Sequence, residues 1–122
     1  MMILGIGIDI CDIAKLKRAI RARESFLRRV FSENEIRYCS GKKDPLLHYA
    51  GRFAVKEAFI KAVSVDKSMR LNEVETQNDK NGKPEIIMNA VIRAALKKKS
   101  AKRAMISITH TKTAAAAVCV IS

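Results

Sequence analysis

The chain of 122 residues contains no tryptophan, and aromatic residues make up only 5% of it. Proteins that bind single-stranded nucleic acid commonly stack bases on aromatic side chains, so platforms for such stacking are scarce here. Cysteine is also scarce, because the chain has only three, without a paired CxxC spacing. This odd number favours free thiols in a reducing cytosol.

Long apolar runs are absent as well. The opening "MMILGIGIDI" follows no basic segment and reaches the charged Asp9 after eight residues, so we expect neither a signal peptide nor a membrane span. An apolar share of 48% with 30% charged residues is typical of a soluble globular protein. We therefore expect a single domain over residues 1–122, in the cytoplasm and without a membrane partner.

Acidic residues are few relative to basic ones. The chain has 24 lysines and arginines against 12 aspartates and glutamates, which gives a formal net charge of +12. Such a field attracts anionic partners but does not identify them. Nucleic acid, an acidic protein and a phosphorylated metabolite all remain open at this point.

The first half of the chain predicts one strand and three helices. Residues 2–10 alternate as a strand, and its glycine face is nearly bare of side chains. Asp12 suits the N-cap of a helix over 13–23, "SENE" at 32–35 is a capping-box start, and a long helix is expected over about 46–63.

The second half predicts a hairpin, a helix and two strands. Residues 74–77 and 85–88 read as strands around a turn at Asn81 and Gly82. A helix is expected over 90–99, and strands over 105–109 and 114–121 are joined by a short turn at "HTKT". Together these elements predict a single α+β unit.

Glu57 lies in an unusual place on the long helix. Apolar side chains occupy nearly every side of this helix, which is typical of one buried between two layers. Glu57 falls between Phe53 and Ile60 at helical spacing, so its carboxylate loses solvation and needs a partner. An ion pair with Lys61, one turn further along, and coordination of a metal both satisfy that need.

Asp9 closes the first strand on its glycine face. The missing side chains allow another backbone or a ligand to approach closely, while a role as a helix cap or turn carboxylate is the simpler alternative. "GIGID" is not a dinucleotide fingerprint, because the third glycine of GxGxxG is missing.

His110 follows "ISIT" at a strand end, beside threonines and a lysine that can bind a phosphate together with it. A lone surface histidine is more often inert. Arg52 and Lys56 lie on a common side of the long helix, and a solvated face is the usual meaning of such a pair.

The first predicted helix carries a regular basic stripe formed by Lys15, Arg18 and Arg21. This cationic ridge fits an acidic helix or a phosphate backbone. The run "KKKSAKR" near the C-terminus is interpreted as a solvated loop.

Three motifs in this order, "GIGIDI", "GRFAVKEAFIKA" and "ISITHT", together with "NGKP", resemble the holo-acyl-carrier-protein synthase family. The resemblance extends over nearly the whole chain. It implies a small 4'-phosphopantetheinyl transferase fold, with an antiparallel sheet packed on a long central helix. It also implies transfer of the 4'-phosphopantetheine of coenzyme A to a serine hydroxyl of apo acyl carrier protein, with release of adenosine 3',5'-bisphosphate in fatty acid biosynthesis.

Matched position by position, the resemblance places Asp9 and Glu57 on the family's magnesium ligands. Two carboxylates with pyrophosphate oxygens and waters make a typical Mg²⁺ sphere. Lys61 falls on the catalytic lysine and would stabilise the transferring phosphoryl group or the departing phosphate. The serine proton is expected to go to a metal-bound water or to Glu57, and both alternatives stay open.

The resemblance also implies a coenzyme A site. Arg52 and His110 match residues that contact the phosphates of coenzyme A. Thr111 is a candidate hydroxyl donor to the same ligand, and Lys83 with Pro84 of "NGKP" is expected to border the nucleotide.

Family members of this length form homotrimers whose sites lie at subunit boundaries. The family docks the acidic helix of the carrier protein on its first basic helix, so Lys15, Arg18 and Arg21 are the expected partner contacts. One departure is the glycine-free loop over 64–73, where the family usually has a glycine-rich turn, which leaves the backbone contacts of that loop with coenzyme A in question.

The alternative from another class is a basic nucleic-acid-binding protein without catalysis, supported by the charge of +12 and the lysine run. Its affinity would fall steeply and linearly with salt on a log-log plot. The scarcity of aromatics and the two acidic residues at motif positions argue against it, so we expect no nucleic-acid partner.

Overall fold

The computed structural model describes residues 2–64 and 69–122. The chain forms five strands and five α-helices within this described part. In chain order they are β1 (Gly5–Asp12), α1 (Ile13–Ala22), α2 (Phe26–Val30), α3 (Glu33–Ser40), α4 (Pro45–Val63), β2 (Thr76–Asn78), β3 (Pro84–Ile86), α5 (Ala90–Lys98), β4 (Ala104–His110) and β5 (Ala114–Ile121).

Helix starts follow the predicted caps. The Asp12 carboxylate accepts a hydrogen bond from the Lys15 backbone N–H at 3.0 Å and begins α1. Ser32 and Glu35 form the predicted capping box of α3, in which each side chain accepts from the backbone of the other. The structure therefore confirms both helix starts, and it adds the short helix α2, which the sequence patterns did not predict.

The sheet has the strand order β1-β5-β4, with both pairs antiparallel. Helix α4 packs across this sheet and contacts all of its strands, and α1 and α3 pack on α4 as well. The core lies between the sheet and this helix, and Ala54, Val55, Ala58 and Phe59 of α4 are fully buried. The predicted α+β class, with an antiparallel sheet on a long helix, is confirmed.

The isoleucine face of β1 is exposed and its glycine face is buried, the reverse of what hydrophobicity suggests. Ile6, Ile8 and Ile10 are 66%, 66% and 70% exposed, whereas Gly7 is buried. A Cβ atom at Gly7 would overlap the carbonyl oxygen of Ala58, and one at Gly5 would overlap that of Ala62. The bare face of β1 is therefore filled by the backbone of α4, the first of the two predicted ways of filling it.

Strands β2 and β3 form the predicted hairpin, with Thr76 opposite Ile86 and Asn78 opposite Pro84. Both strands are shorter than the ranges 74–77 and 85–88 expected from the sequence. The Asp79 carboxylate accepts from the backbone N–H groups of two residues in the turn, and Gly82 has a φ of +83°. A glycine suits this left-handed position because it has no Cβ.

None of the helices in the described ranges is both long and apolar enough to cross a bilayer. The expectation of one domain over the whole chain stays a prediction. Part of the glycine-free loop, residues 65–68, lies outside the described residues.

The substitution Gly7→Ala is expected to lower the free energy of unfolding by at least about 2 kcal/mol, because the new methyl group forces β1 away from the α4 backbone. Urea denaturation would measure the change. Gly41→Ala is the matched control, because a Cβ there lies 3.5 Å from its nearest neighbour and the φ of Gly41 is −82°. Equal stabilities of the two variants would contradict the close β1–α4 contact.

Candidate active site

Asp9 lies on the glycine face of β1 and beside the C-terminal part of α4. It does not close the strand as expected, because β1 stays paired with β5 as far as Asp12. The Lys61 ammonium donates to Asp9 Oδ1 at 3.1 Å and to the Ile8 carbonyl oxygen at 2.9 Å. The Lys61 side chain is 54% exposed and that of Asp9 is 19% exposed. Lys61 therefore bridges helix and strand at a surface that a ligand can reach.

Glu57 lies half-buried one turn before Lys61 on the same helix. The pKa of its carboxyl group is raised above the usual value, first by burial and then by the negative charge of Asp9, while Lys61 acts in the opposite direction. In the described residues Lys61 is within ion-pair distance of Asp9 and not of Glu57. The helical ion pair between Glu57 and Lys61, one of the two alternatives from the sequence, is thus not the one that forms.

Two carboxylates that repel each other at a partly exposed position suit a divalent cation. Mg²⁺ prefers oxygen ligands and keeps several waters, so Asp9 and Glu57 fit it as the two protein ligands. No group of three or more histidine, cysteine, aspartate or glutamate side chains gathers into a metal site within residues 2–64 and 69–122. The remaining oxygens would accordingly come from substrate and water.

A second group of polar residues lines a cavity of about 280 Å³ on another side of α4. The lining includes Tyr38, His48, Arg52, Asn78, Pro84 and His110. Arg52 is only 4% exposed, its Cζ lies 4.0 Å from the centroid of the Tyr38 ring, and its Nη2 donates to Asn78 Oδ1 at 2.6 Å. The guanidinium is thus fixed on one face and at one end.

The charge of this cavity is positive. Burial lowers the pKa of His48, and the positive charges of Arg52 and Lys42 lower it further. The Nε of Arg52 is buried and has no hydrogen-bond partner among the described residues. A buried donor without a partner is costly, so an anion that accepts from Arg52 would stabilise the cavity.

Residues 5–119 match the sequence profile of the 4'-phosphopantetheinyl transferase superfamily. The chain belongs to this superfamily. Among its curated members, the holo-[acyl-carrier-protein] synthase of Cytophaga hutchinsonii is 46% identical over 97 residues, which cover 78% of this chain and 76% of that relative.

Solved structures of superfamily members share the fold. The holo-[acyl-carrier-protein] synthase from Neisseria meningitidis is similar with a TM-score of 0.89 at 27% identity, covering 99% of each chain. The Helicobacter pylori holo-[acyl-carrier-protein] synthase, solved in complex with coenzyme A, gives a TM-score of 0.81 at 30% identity and covers 96% of this chain and 99% of that one. The family resemblance expected from the motifs is confirmed.

Within this 4'-phosphopantetheinyl transferase chain the expected coenzyme A residues do not all lie together. Arg52, His110 and Pro84 line the same cavity. Thr111 lies in the turn between β4 and β5, where its hydroxyl accepts from the Ala114 backbone N–H at 3.2 Å. Lys83 is an exposed residue of the hairpin turn. The ligand contacts expected of Thr111 and Lys83 stay predictions.

The solvated face, one of the alternatives for Arg52 and Lys56, is wrong. Lys56 is 0% exposed, and its ammonium donates to Glu35 Oε1 at 2.5 Å, to Val74 O at 2.6 Å and to Leu71 O at 3.1 Å. Lys56 lies on the side of α4 that packs against Glu35 and the carbonyl groups of Leu71 and Val74. The apolar residues around Lys56 in the sequence were the signal for a buried charge.

A groove of about 800 Å³ lies between α1, α2 and residues 70–72, and α1 contributes Ala19 and Ala22 to its lining, not the residues of the basic stripe. Lys15, Arg18 and Arg21 are exposed on α1. The lining includes Arg23, Phe26, Arg28, Arg29 and Arg70. Sequence reasoning found the stripe but missed the groove, since α2 was not predicted.

Tyr38, His48 and Asn78 were missed because they come from three separate elements. None belongs to a motif. Their positions around Arg52 depend on how α3, α4 and β2 pack, which single-sequence patterns do not determine.

The substitution Glu57→Gln is expected to raise the melting temperature by about 2–4 °C at pH 7.5 in EDTA, because it removes a desolvated charge that Asp9 repels. Because the pKa of Glu57 is raised in the folded state, its charged form destabilises the fold at pH values above that pKa. The gain in melting temperature should therefore vanish below about pH 4, where the carboxyl group holds its proton in both the folded and the unfolded state. Thermal denaturation at the two pH values measures this, with the exposed Glu24→Gln as control. A lower melting temperature at pH 7.5 would show that the Glu57 charge is already compensated.

Proposed function

We propose that this chain is a holo-[acyl-carrier-protein] synthase that acts in the cytoplasm. It transfers the 4'-phosphopantetheine of coenzyme A to a serine hydroxyl of apo acyl carrier protein and releases adenosine 3',5'-bisphosphate, a step that supplies fatty acid biosynthesis. The observation that carries the proposal is the meeting of Asp9, Glu57 and Lys61 where β1 crosses α4. The superfamily match and the names of the relatives support the reaction.

The chemistry assigned to this cluster follows from its charges. Asp9 and Glu57 would hold Mg²⁺, which when bound supplies positive charge to the pyrophosphate oxygens. The serine oxygen forms a bond to the β-phosphorus of coenzyme A, and the bond from that phosphorus to the bridging oxygen breaks, so that the pair of electrons leaves with the adenosine bisphosphate. The serine hydroxyl gives its proton to a water molecule or to Glu57. The Lys61 ammonium, partly exposed, can neutralise the charge that develops on either phosphate.

Arg52 and His110 are assigned to the phosphates of coenzyme A at the other end of the ligand. The free Nε of Arg52 and the positive cavity support this assignment. Glu57 lies five positions after Arg52, which corresponds to about 140° around a helix. The metal end and the phosphate end therefore point away from α4 in different directions.

Incubation of apo acyl carrier protein with this chain, coenzyme A and Mg²⁺ should add the mass of phosphopantetheine, as mass spectrometry would show. Glu57→Gln and Lys61→Met should each lower the transfer rate at least about a hundredfold, because each removes a charge that acts on the pyrophosphate. Glu24→Gln is the control, expected at the wild-type rate. Normal turnover by Glu57→Gln would overturn the metal assignment, and no mass increment with the wild-type chain would overturn the reaction.

The proposed carrier-protein contact is the stripe of Lys15, Arg18 and Arg21. The partner's helix is acidic in this family. Helix α1, which carries the stripe, also lines the arginine-rich groove through Ala19 and Ala22, and Phe26 of this groove offers an apolar contact. Charges of this kind steer association and fix its orientation.

Charge reversal of Lys15, Arg18 and Arg21 to Glu should raise the KM for carrier protein at least about tenfold and leave the KM for coenzyme A unchanged. The matched control replaces Lys97, Lys98 and Lys99 by Glu. These lysines are exposed at the end of α5, and their reversal changes the net charge by the same amount. Steady-state kinetics with each substrate varied would measure both constants. Equal effects of the two triple variants would reduce the docking claim to a net-charge effect.

A homotrimer with sites at subunit interfaces is the proposed assembly. The exposed row of Ile6, Ile8 and Ile10 is an apolar face that a monomer would leave in water. Burying each isoleucine contributes roughly 1.5–3 kcal/mol. The row runs alongside Asp9, so a neighbouring subunit seated there can bring its phosphate-binding cavity to the metal end of the first.

Ile6→Lys is expected to convert the trimer to a monomer and to lower transfer at least about tenfold, because a charge would be buried at the interface. Sedimentation velocity measures the assembly. Ala94→Lys, at an exposed position of α5, is the control and should remain a trimer. A monomeric wild-type chain with full activity would refute the shared site.

A further inference from the structure

Two basic side chains of α4 hold the segment over 74–78. Arg52 and Lys56 lie four residues apart, hence on the same side of the helix, and both are buried. Lys56 binds the start of the segment through the Val74 carbonyl oxygen at 2.6 Å. Arg52 binds its end through Asn78 Oδ1 at 2.6 Å.

Glu35 completes the attachment at the Lys56 end. Its Oε1 accepts from the Lys56 ammonium at 2.5 Å, and its Oε2 accepts from the Thr76 backbone N–H at 3.0 Å. With two carbonyl oxygens also bound, all three donors of the ammonium are used. Both side chains of the pair are 0% exposed, so water does not screen it.

Asn78 completes the attachment at the Arg52 end. While its Oδ1 accepts from Arg52, its Nδ2 donates to the carbonyl oxygen of Gly82 at 2.8 Å. One amide therefore joins the guanidinium to the hairpin turn. Gly82 and Pro84 of this hairpin line the same cavity as Arg52.

The two attachments hold both ends of β2. The Glu35–Lys56 pair binds Val74 and Thr76, and Arg52 binds Asn78. Strand β2 is therefore bonded at its start and at its end at once. A displacement at the Glu35 end would carry Asn78 away from Arg52.

We propose that the buried Glu35–Lys56 pair and Asn78 are positioning residues for coenzyme A, which act by holding the Arg52 guanidinium at the cavity. The pair fixes β2 on α4, and Asn78 transmits that position to Arg52. The proposal rests on the proposed assignment of Arg52 to the phosphates of coenzyme A.

The first test uses Asn78→Ala, which leaves the buried pair intact. Its affinity for adenosine 3',5'-bisphosphate, measured by calorimetry, should fall about tenfold, because a bond to a charged group is lost. The KM for coenzyme A should rise by the same factor, with kcat and the KM for carrier protein unchanged. Gln77→Ala, an exposed neighbour on the same strand, is the matched control and should bind like the wild type.

The second test is a double-mutant cycle with Glu35→Gln. Alone, this substitution should also weaken binding of the bisphosphate about tenfold, but in the Asn78→Ala background it should change the affinity less than about twofold, because both act through Arg52. Additive losses would overturn the proposal. Should Glu35→Gln fold too poorly to titrate, the double substitution Glu35→Leu with Lys56→Met removes both buried charges and takes its place in the cycle.

Arg52→Ala distinguishes the positioning proposal from the assignment of Arg52 to the phosphates of coenzyme A. If it weakens bisphosphate binding while Asn78→Ala does not, the positioning proposal is wrong and the assignment of Arg52 stands. If Arg52→Ala itself binds the bisphosphate like the wild type, both are wrong, while transfer activity that depends on Glu57 would still support the enzyme function.

Discussion

The contact of β1 with the backbone of α4 is the constraint on which the site depends. Only glycine at positions 5 and 7 lets the strand approach the carbonyl oxygens of Ala58 and Ala62. This approach sets Asp9 beside Lys61 and within electrostatic reach of Glu57. Because the small face of the strand is turned inward, its isoleucine face is left outside. One packing choice thus produces both the acidic cluster and the surface proposed for assembly.

Buried charge organises the opposite side of the same helix. Lys56 and Glu35 have exchanged water for each other and for backbone groups, an arrangement in which loss of one partner is far more damaging than loss of both. Arg52 is held by an aromatic face and an amide, and one of its donors stays free. Helix α4 is therefore more than a core element. One side carries the acidic cluster, and another carries both the buried ion pair and the guanidinium proposed to bind the phosphates of coenzyme A.

Much of the secondary structure could be predicted because the signals are local. The caps at Asp12 and Ser32, the short turn between the last two strands and the length of α4 each depend on residues a few positions apart. Helix α2 was missed, since its five residues are too few to show a period. The alternative of a solvated face for Arg52 and Lys56 was wrong, because whether a charged side chain is buried depends on what packs over it. That partner, Glu35, lies 21 residues from Lys56.

By itself, the sequence determined the α+β class, the order of the elements and, through three motifs, the superfamily. It also predicted that Asp9 and Glu57 are the metal ligands. Only the tertiary structure decided which face of β1 is buried, that Lys61 pairs with Asp9 and not with Glu57, and which residues surround Arg52. Capping and periodicity act within a few residues of chain. Burial and ion pairing are determined by groups far apart in sequence, and these meet only once the sheet and α4 have packed.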